Sequence, residues 1–281
     1  MTIPQAYRRL REQLSAVCGD FSDYEARRIL EYVTGCGVRD FPWKLIENQP
    51  IDADTVCKME DVLVRRLKHE PLEYILGEVW FCGLRLHVTP DCLIPQADTE
   101  VVCERARSLL PQGGRLADIG TGSGCIALAV LAGTKNTSAV AYDISGPALS
   151  VAYENARSLG FSTRFCPVLS DVFAEDFMKG DGFFDVIVSN PPYIRTQDIA
   201  ELAPEVRAEP LSALDGGADG LRFYRRLLAV CPTHIRRGGA MVLEIGYDEG
   251  EALRLLCRER GLSCEIFQDF GGNDRGCVIR P

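Results

Sequence analysis

The chain has 281 residues, 46% of them apolar and 25% charged, with a net charge of −9. Such a length holds one large domain, or a main domain beside a small one, with ample core material. The longest apolar run, "CIALAVLAG" at 125–133, is far short of the ~18 residues of a membrane span, and the charged start "MTIPQAYRRLREQL" has no apolar export core, so a cytoplasmic protein with no membrane partner is expected.

The twelve cysteines form no C-x-x-C pair and no Cys/His cluster of zinc spacing. No metal site or disulfide framework is therefore expected, and the thiols read as small apolar residues of a reducing compartment. Residues 1–76 hold 11 Lys/Arg against 13 Asp/Glu, which is not a basic arm. The acidic balance favours a protein or small-molecule substrate over direct action on nucleic acid.

Helical periodicity covers 4–17, 23–35 and 53–69, with a shorter helix at 41–48. In "SDYEARRILEYV", Tyr24, Ile29, Leu30 and Val33 share a face behind an N-cap at Ser22 or Asp23. In the last of these helices Val56, Met59, Val62, Leu63 and Leu67 do the same. Pro71 closes this unit, so residues 1–75 form an expected helical domain. "GEVWFCGLRLHV" (77–88) alternates and breaks at Cys82-Gly83, which predicts a β-hairpin within a connector spanning 76–95.

From about residue 97, helices and strands alternate. A helix at 98–110 precedes the strand "GRLADIG". The helix "GCIALAVLAG", the strand "SAVAYDI" and the helix "GPALSVAYENARSLG" come next. Strands near 163–168 and at 183–190 follow. A helix at 219–236, the strand "GAMVLEIG", a helix at 249–260 and the strands "CEIFQDF" and "GCVIR" complete the chain. This order predicts an α/β domain over 96–281, a parallel sheet with helices on both faces. The connection from 191 to 218, with Pro204, Pro210 and "DGGADG", is long enough to suggest function.

Two stretches carry chemistry. "ADIGTGSGCIAL" puts Asp118, Gly120, Thr121, Gly122, Ser123 and Gly124 at the end of the first core strand, where glycines allow a tight turn and close approach to a ligand. A dinucleotide fingerprint needs its third glycine at 125, which is Cys, so a nicotinamide site is disfavoured. Asp143 ends the second strand, and its two oxygens suit a ribose diol. Asp171, followed by Val172, stands after the third strand in position to accept from an adenine amino group. Alone, each aspartate also reads as a turn or helix-capping residue. The second stretch, "VIVSNPPYI" (186–194), stops a strand with Asn190, Pro191, Pro192 and Tyr193. Two prolines cannot continue a ladder, and they fix a rigid elbow carrying a carboxamide and a phenol. All four features lie at carboxyl ends of strands, where open α/β sheets bind ligands.

"DIGTGSG" followed by "SNPPYI" resembles the class I S-adenosylmethionine-dependent methyltransferases that modify planar nitrogens. "EPLEYILG" (70–77), "LIPQADTE" (93–100) and "EPLSALDGGADGLRFY" (209–224) narrow the resemblance to the peptide chain release factor N5-glutamine methyltransferases, the HemK/PrmC type. It spans roughly residues 60–281. The resemblance implies a seven-stranded Rossmann-like methyltransferase sheet with the last strand antiparallel, joined by the hairpin to a helical substrate-recognition domain. It implies S-adenosyl-L-methionine as donor and S-adenosyl-L-homocysteine as product. The implied acceptor is the glutamine of the Gly-Gly-Gln motif in class I release factors, in support of translation termination. Gln96-Ala97 departs from the family's usual Arg-Pro, so no role is given to that pair.

The elbow suits such an acceptor. Asn190 and the Pro191 carbonyl can each accept one hydrogen of a side-chain NH₂, and Tyr193 can pack on the flat amide. An adenine amino group would be held as well, which leaves an adenine-N6 nucleic-acid methyltransferase as one alternative. A ribosomal-protein glutamine methyltransferase is another, and an inert S-adenosylmethionine-binding module a third. The acidic balance opposes the first, the "LIPQADTE" and "ALDGGADG" segments the second, and the intact elbow the third.

Overall fold

Helix α1 (Ile3–Cys18) begins at a capping box in which Thr2 and Gln5 serve each other's backbone N–H groups. It is followed by α2 (Ser22–Thr34), α3 (Phe41–Glu47) and α4 (Ala53–Arg66), the last capped by Asp52 accepting from the Thr55 N–H. A further short helix, α5 (Leu72–Leu76), starts directly after Pro71. The proline therefore opens an element as well as ending one, in keeping with its fixed φ and missing donor. Leu10, Leu14, Ile29, Leu30 and Met59 are fully buried and form the core of these helices.

A computed structural model describes all 281 residues as two compact units. One is Met1–Gly77 with Ala203–Ala208, and the other is Glu78–Leu202 with Glu209–Pro281. In the helical unit Arg66 is 4% exposed and bridges two carboxylates, Glu25 at 2.8 Å and Glu205 at 2.9 Å. Glu205 also meets His69 Nδ1 at 3.0 Å. A guanidinium so enclosed needs partners of this kind, and removing one would leave a buried charge uncompensated.

The second unit opens with the expected hairpin, β1 (Glu78–Phe81) and β2 (Leu84–His87), paired Val79 to Leu86. Its two turn residues, Cys82 and Gly83, both have positive φ, the tight form that matches strand twist. After α6 (Glu100–Leu109) come β3 (Arg115–Ile119), α7 (Cys125–Ala132), β4 (Ser138–Asp143), α8 (Gly146–Ser158), β5 (Phe165–Leu169) and β6 (Phe184–Ser189). The 191–218 connection contains β7 (Ile194–Arg195), α9 (Pro204–Arg207), α10 (Leu211–Leu214) and β8 (Asp215–Gly217). The chain ends with α11 (Arg222–Val230), β9 (Ile235–Glu244), α12 (Gly250–Arg258), β10 (Ser263–Gln268) and β11 (Asp274–Arg280). The helix expected at 219–236 stops at Val230 because Pro232 interrupts the ladder, and a 3₁₀ turn leads directly into β9.

Seven strands form one sheet in the order β10-β11-β9-β6-β3-β4-β5. The ladders from β9 through β5 are parallel, and only β11 runs against its neighbours β9 and β10. The central strand β6 is buried along its whole length, as expected for a strand covered on both faces. From β3 the chain steps outward to β4 and β5, then crosses to the opposite side for β6. This reversal opens a crevice at the carboxyl ends of β3 and β6.

Candidate active site

A cavity of about 460 Å³ fills that crevice, within the range of small-molecule sites. Gly120 and Gly122 line it after β3, Asp143 at the end of β4, Asp171 and Val172 after β5, and Asn190, Pro191 and Pro192 after β6. The topology thus gathers residues separated by up to 72 positions in the sequence onto one surface.

The glycine turn takes its shape from backbone conformation. Gly120, Gly122 and Gly124 all have positive φ, which side chains disfavour. A Cβ at Gly124 would also lie 3.1 Å from Leu128 and 3.2 Å from Ala152, so this glycine lets α7 and α8 approach. Asp143 braces the turn, accepting from the Gly122 N–H at 2.8 Å and from the Ser145 N–H at 2.9 Å. Each carboxylate oxygen keeps lone-pair capacity for a second donor such as a ribose hydroxyl. Asp171 accepts from the Phe173 N–H at 2.8 Å through Oδ1. Its other oxygen has no protein donor.

Four residues grouped with the cofactor turn in the sequence lie beneath the cavity surface. Asp118 is fully buried, accepting from the Thr121 hydroxyl at 2.7 Å and the Ala127 N–H at 3.2 Å. Burial pushes its carboxyl up to about 6, although both donors pull it down. Thr121 is thus committed to Asp118. Ser123 is enclosed, and its backbone carbonyl accepts from Asn155 at 3.0 Å. Gly124 serves helix packing. These residues hold the turn from below, whereas Gly120, Gly122, Asp143, Asp171 and Val172 present the surface.

At the elbow, Asn190 donates its carboxamide N–H to Thr99 Oγ1 at 3.4 Å. Its Oδ1 has no protein partner. Tyr193 does not line the cavity; it is half-buried against the apolar core of the sheet, with its hydroxyl 3.5 Å from Glu244 Oε1. The stacking surface expected of Tyr193 is therefore not among the residues that line the cavity. The elbow is also held by backbone contact. A Cβ on Gly216 would lie 2.7 Å from the Tyr193 Cα, and one on Gly220 2.6 Å from the Tyr193 carbonyl oxygen. The "DGGADG" glycines are required because two main chains touch here, and β7 and β8 pair through Ile194 and Asp215.

The "LIPQADTE" segment is a frame of long-range contacts. Ile94 N–H donates to Glu209 at 2.8 Å, Asp98 pairs with Arg275 at 3.0 Å, Thr99 meets Asn190, and Glu100 accepts from the Cys82 N–H at 2.7 Å. Gln96 and Ala97 are exposed, and Gln96 only donates to the nearby Ile94 carbonyl. Asn155 accepts from His87 N–H at 2.7 Å and donates to the His87 and Ser123 carbonyls, clamping the hairpin to the glycine turn. Neither Asn155 nor Glu244 stands out in the sequence, because each lies inside an ordinary amphipathic or apolar element. No group of three or more His, Cys, Asp or Glu side chains is placed to hold a metal ion, none of the twelve cysteines is in a disulfide, and no helix is long and apolar enough to cross a membrane.

The chain is similar to several known proteins. Residues 5–77 match the PrmC N-terminal domain, and residues 99–217 match the methyltransferase small domain. A release factor glutamine methyltransferase of Geobacter sulfurreducens is 40% identical over 230 residues, 81% of this chain and 79% of that protein. One of Agrobacterium fabrum is 37% identical over 280 residues, covering 97% of this chain and 94% of its own. Among solved structures, the hMettl16 catalytic domain in complex with the MAT2A 3′UTR hairpin 6 shares the fold at 16% identity, with a TM-score of 0.52 over 82% of each chain. Matches of this identity along nearly the whole chain place it in the family of release factor glutamine methyltransferases.

Proposed function

We propose that this protein transfers a methyl group to the side-chain amide nitrogen (N5) of the glutamine in the Gly-Gly-Gln motif of class I peptide chain release factors. The observation that carries the reading is the elbow: Asn190 spends its N–H on Thr99 and keeps Oδ1 unpartnered in a residue that lines the cavity. S-adenosylmethionine is the methyl donor, and the residues present fit it. Asp143 would accept from the ribose hydroxyls, Asp171 and the backbone at Val172 would hold the adenine, and the Gly120–Gly122 backbone would border the remainder.

An amide nitrogen is a weak nucleophile because its lone pair is delocalised into the carbonyl. Asn190 Oδ1 accepts one of its hydrogens and the Pro191 carbonyl the other, so the lone pair is aimed out of the amide plane toward the methyl carbon. Both contacts strengthen as positive charge develops on nitrogen, and they therefore stabilise the transition state more than the ground state. Transfer forms the N–C bond and breaks the donor's S–C bond, after which the cationic amide nitrogen releases a proton to water. That proton is acidic enough to need no general base, in keeping with a cavity that no histidine lines.

The helical unit is assigned to recognition of the folded substrate. Its α3 presents Trp43 and Ile46, 66% and 73% exposed and one helical turn apart on the same face. Truncation is a poor test, because residues 203–208 belong to this unit and Glu205 would lose Arg66. Substitution serves better. Full-length enzyme with labelled donor is expected to label release factor on a single glutamine, located by mass spectrometry, and to leave DNA unlabelled. Trp43→Ala with Ile46→Ala is expected to lower kcat/KM for intact release factor by ~10-fold or more, as for loss of interface anchors, with donor affinity unchanged. Label on adenine would support the nucleic-acid alternative instead.

A further inference from the structure

The cavity is lined by several aspartates but by a single cation, Arg222, the first residue of α11. The other two arginines near the start of this helix have their donors taken: Arg225 pairs with Asp219 at 3.0 Å, and Arg226 donates to two backbone carbonyls at 2.7 and 2.6 Å. Arg222 makes neither an ion pair nor a hydrogen bond. Its guanidinium carbon lies instead over the Phe173 ring, 4.5 Å from the centre, and 5.8 Å from the centre of Phe223. The two rings meet edge to face at 5.2 Å. All three side chains line the cavity. Phe173 directly follows Asp171 and Val172, and its N–H is held by the Asp171 carboxylate at 2.8 Å.

An exposed arginine ordinarily extends into water or finds a carboxylate. This one is exposed, yet it rests on an aromatic base at the cavity edge. Its charge does not account for the placement. The methyl donor carries a sulfonium, an ammonium and a carboxylate, which leaves it with a net positive charge, and a second cation in its site is repulsive. A guanidinium also has a shape: it is planar, weakly hydrated, and stacks on flat π systems. A plane that covers one ring has a second face to offer, and the donor has one flat aromatic part, its adenine.

We propose that Arg222 is a further donor-binding residue, which stacks its guanidinium on the adenine ring and so extends the Phe173–Phe223 base over the purine. This rests on the reading of Asp171 and Val172 as the adenine position. It adds a contact to a wall that the β3–β5 stretch already shapes.

The test is binding to the full-length enzyme in the absence of acceptor. By calorimetry, Arg222→Ala is expected to weaken S-adenosylmethionine and S-adenosylhomocysteine alike, by about fivefold, the worth of one partly exposed cation–π contact. Arg222→Lys keeps the charge but loses the plane, and is expected to recover little of the loss. A residue acting only as a charge gives the opposite sign: its removal would tighten the cationic donor and leave the neutral product unmoved. That result, unchanged affinity for both ligands, or full recovery in Arg222→Lys overturns the proposal. A loosened loop after β5 would mimic the loss, so a second readout follows the contact itself. The Nε–H resonance of Arg222, assigned by its disappearance in Arg222→Lys, is expected to move by ring current when adenosine alone is added. A resonance that stays in place at saturating adenosine overturns the proposal whatever the calorimeter gives. Asp171→Ala separates this from the reading beneath it: weakened donor binding in that variant, with an unmoved Arg222 resonance in wild type, removes Arg222 and leaves the adenine position standing. Absence of release-factor methylation by the wild-type enzyme would count against the proposed function alone, since both readouts concern the donor.

Discussion

The two walls of the cavity are made in different ways. On the cofactor side, the decisive contacts are short in sequence: Asp143 with Ser145 and Gly122, Asp171 with Phe173, Asp118 with Thr121. On the acceptor side they are long. Asn190 leans on Thr99, Tyr193 on Glu244, and the elbow backbone on Gly216 and Gly220. A wall built from the consecutive β3-α7-β4-α8-β5 stretch has its shape once that stretch is folded. A wall assembled from the segment before α6, the end of β9 and the 191–218 connection has its shape only when the whole second unit is complete. Donor binding should therefore tolerate damage elsewhere, whereas acceptor geometry should report it.

The largest effect is expected at the acceptor wall. Asn190→Ala removes one of two acceptors aimed at the reacting nitrogen. By the measure of comparable preorganised hydrogen bonds, kcat is expected to fall by ~10²–10³-fold, with donor affinity within about twofold. Single-turnover methylation beside donor calorimetry checks both halves. A loss of donor binding as large as the loss of rate would mean the two walls are not separable.

A smaller effect of opposite character is expected on the cofactor wall. Asp143→Asn puts a carboxamide in place of the carboxylate, giving up the charge and one acceptor. Charge-assisted hydrogen bonds contribute ~1.5–3 kcal/mol, so donor affinity is expected to weaken by about 10–100-fold. With saturating donor, kcat on release factor is expected to return to within a few-fold of wild type. Unchanged affinity in the calorimeter removes Asp143 from the ribose position.

The same division decides what could be seen in the sequence. "DIGTGSG" and the strand-end aspartates are legible because the chemistry and its support sit in one run of consecutive strands and helices. The elbow is legible as a motif, but its support is not: nothing in "VLEIG" marks Glu244 as a partner of Tyr193, and nothing in "LIPQADTE" says that Thr99 meets Asn190. The inward packing of Tyr193 was invisible for this reason, since its polar partner lies 51 residues away. Strand order was legible through the helix–strand alternation, and the antiparallel position of β11 only through the resemblance. The early end of α11 was readable in principle from Pro232, whereas α5 was masked by the proline that begins it.

The smallest expected effect concerns acids under each wall. Glu249 is 7% exposed and accepts from the Gly246 N–H at 2.8 Å and the Tyr224 hydroxyl at 3.0 Å. It backs the acceptor wall, because a Cβ on Gly220 would lie 2.8 Å from its Oε1. Burial pushes it up to about 7, against ~4.3 for an unfolded glutamate. A native state that binds the proton more tightly than the unfolded chain loses stability as pH rises between those two values, and the loss is complete above the higher one. Glu249→Gln keeps both hydrogen bonds and removes the charge. Its melting temperature is expected to equal that of wild type near pH 4.5 and to exceed it at pH 8, by a few degrees for ~1–2 kcal/mol in a domain of this size. Asp118, under the cofactor wall, is pushed up only to about 6. The corresponding gain in Asp118→Asn should therefore be complete about one pH unit lower. Two stability profiles offset in that sense, read by calorimetry across pH 4.5–8, would separate the electrostatics of the two walls; coincident profiles would show that one acid dominates both.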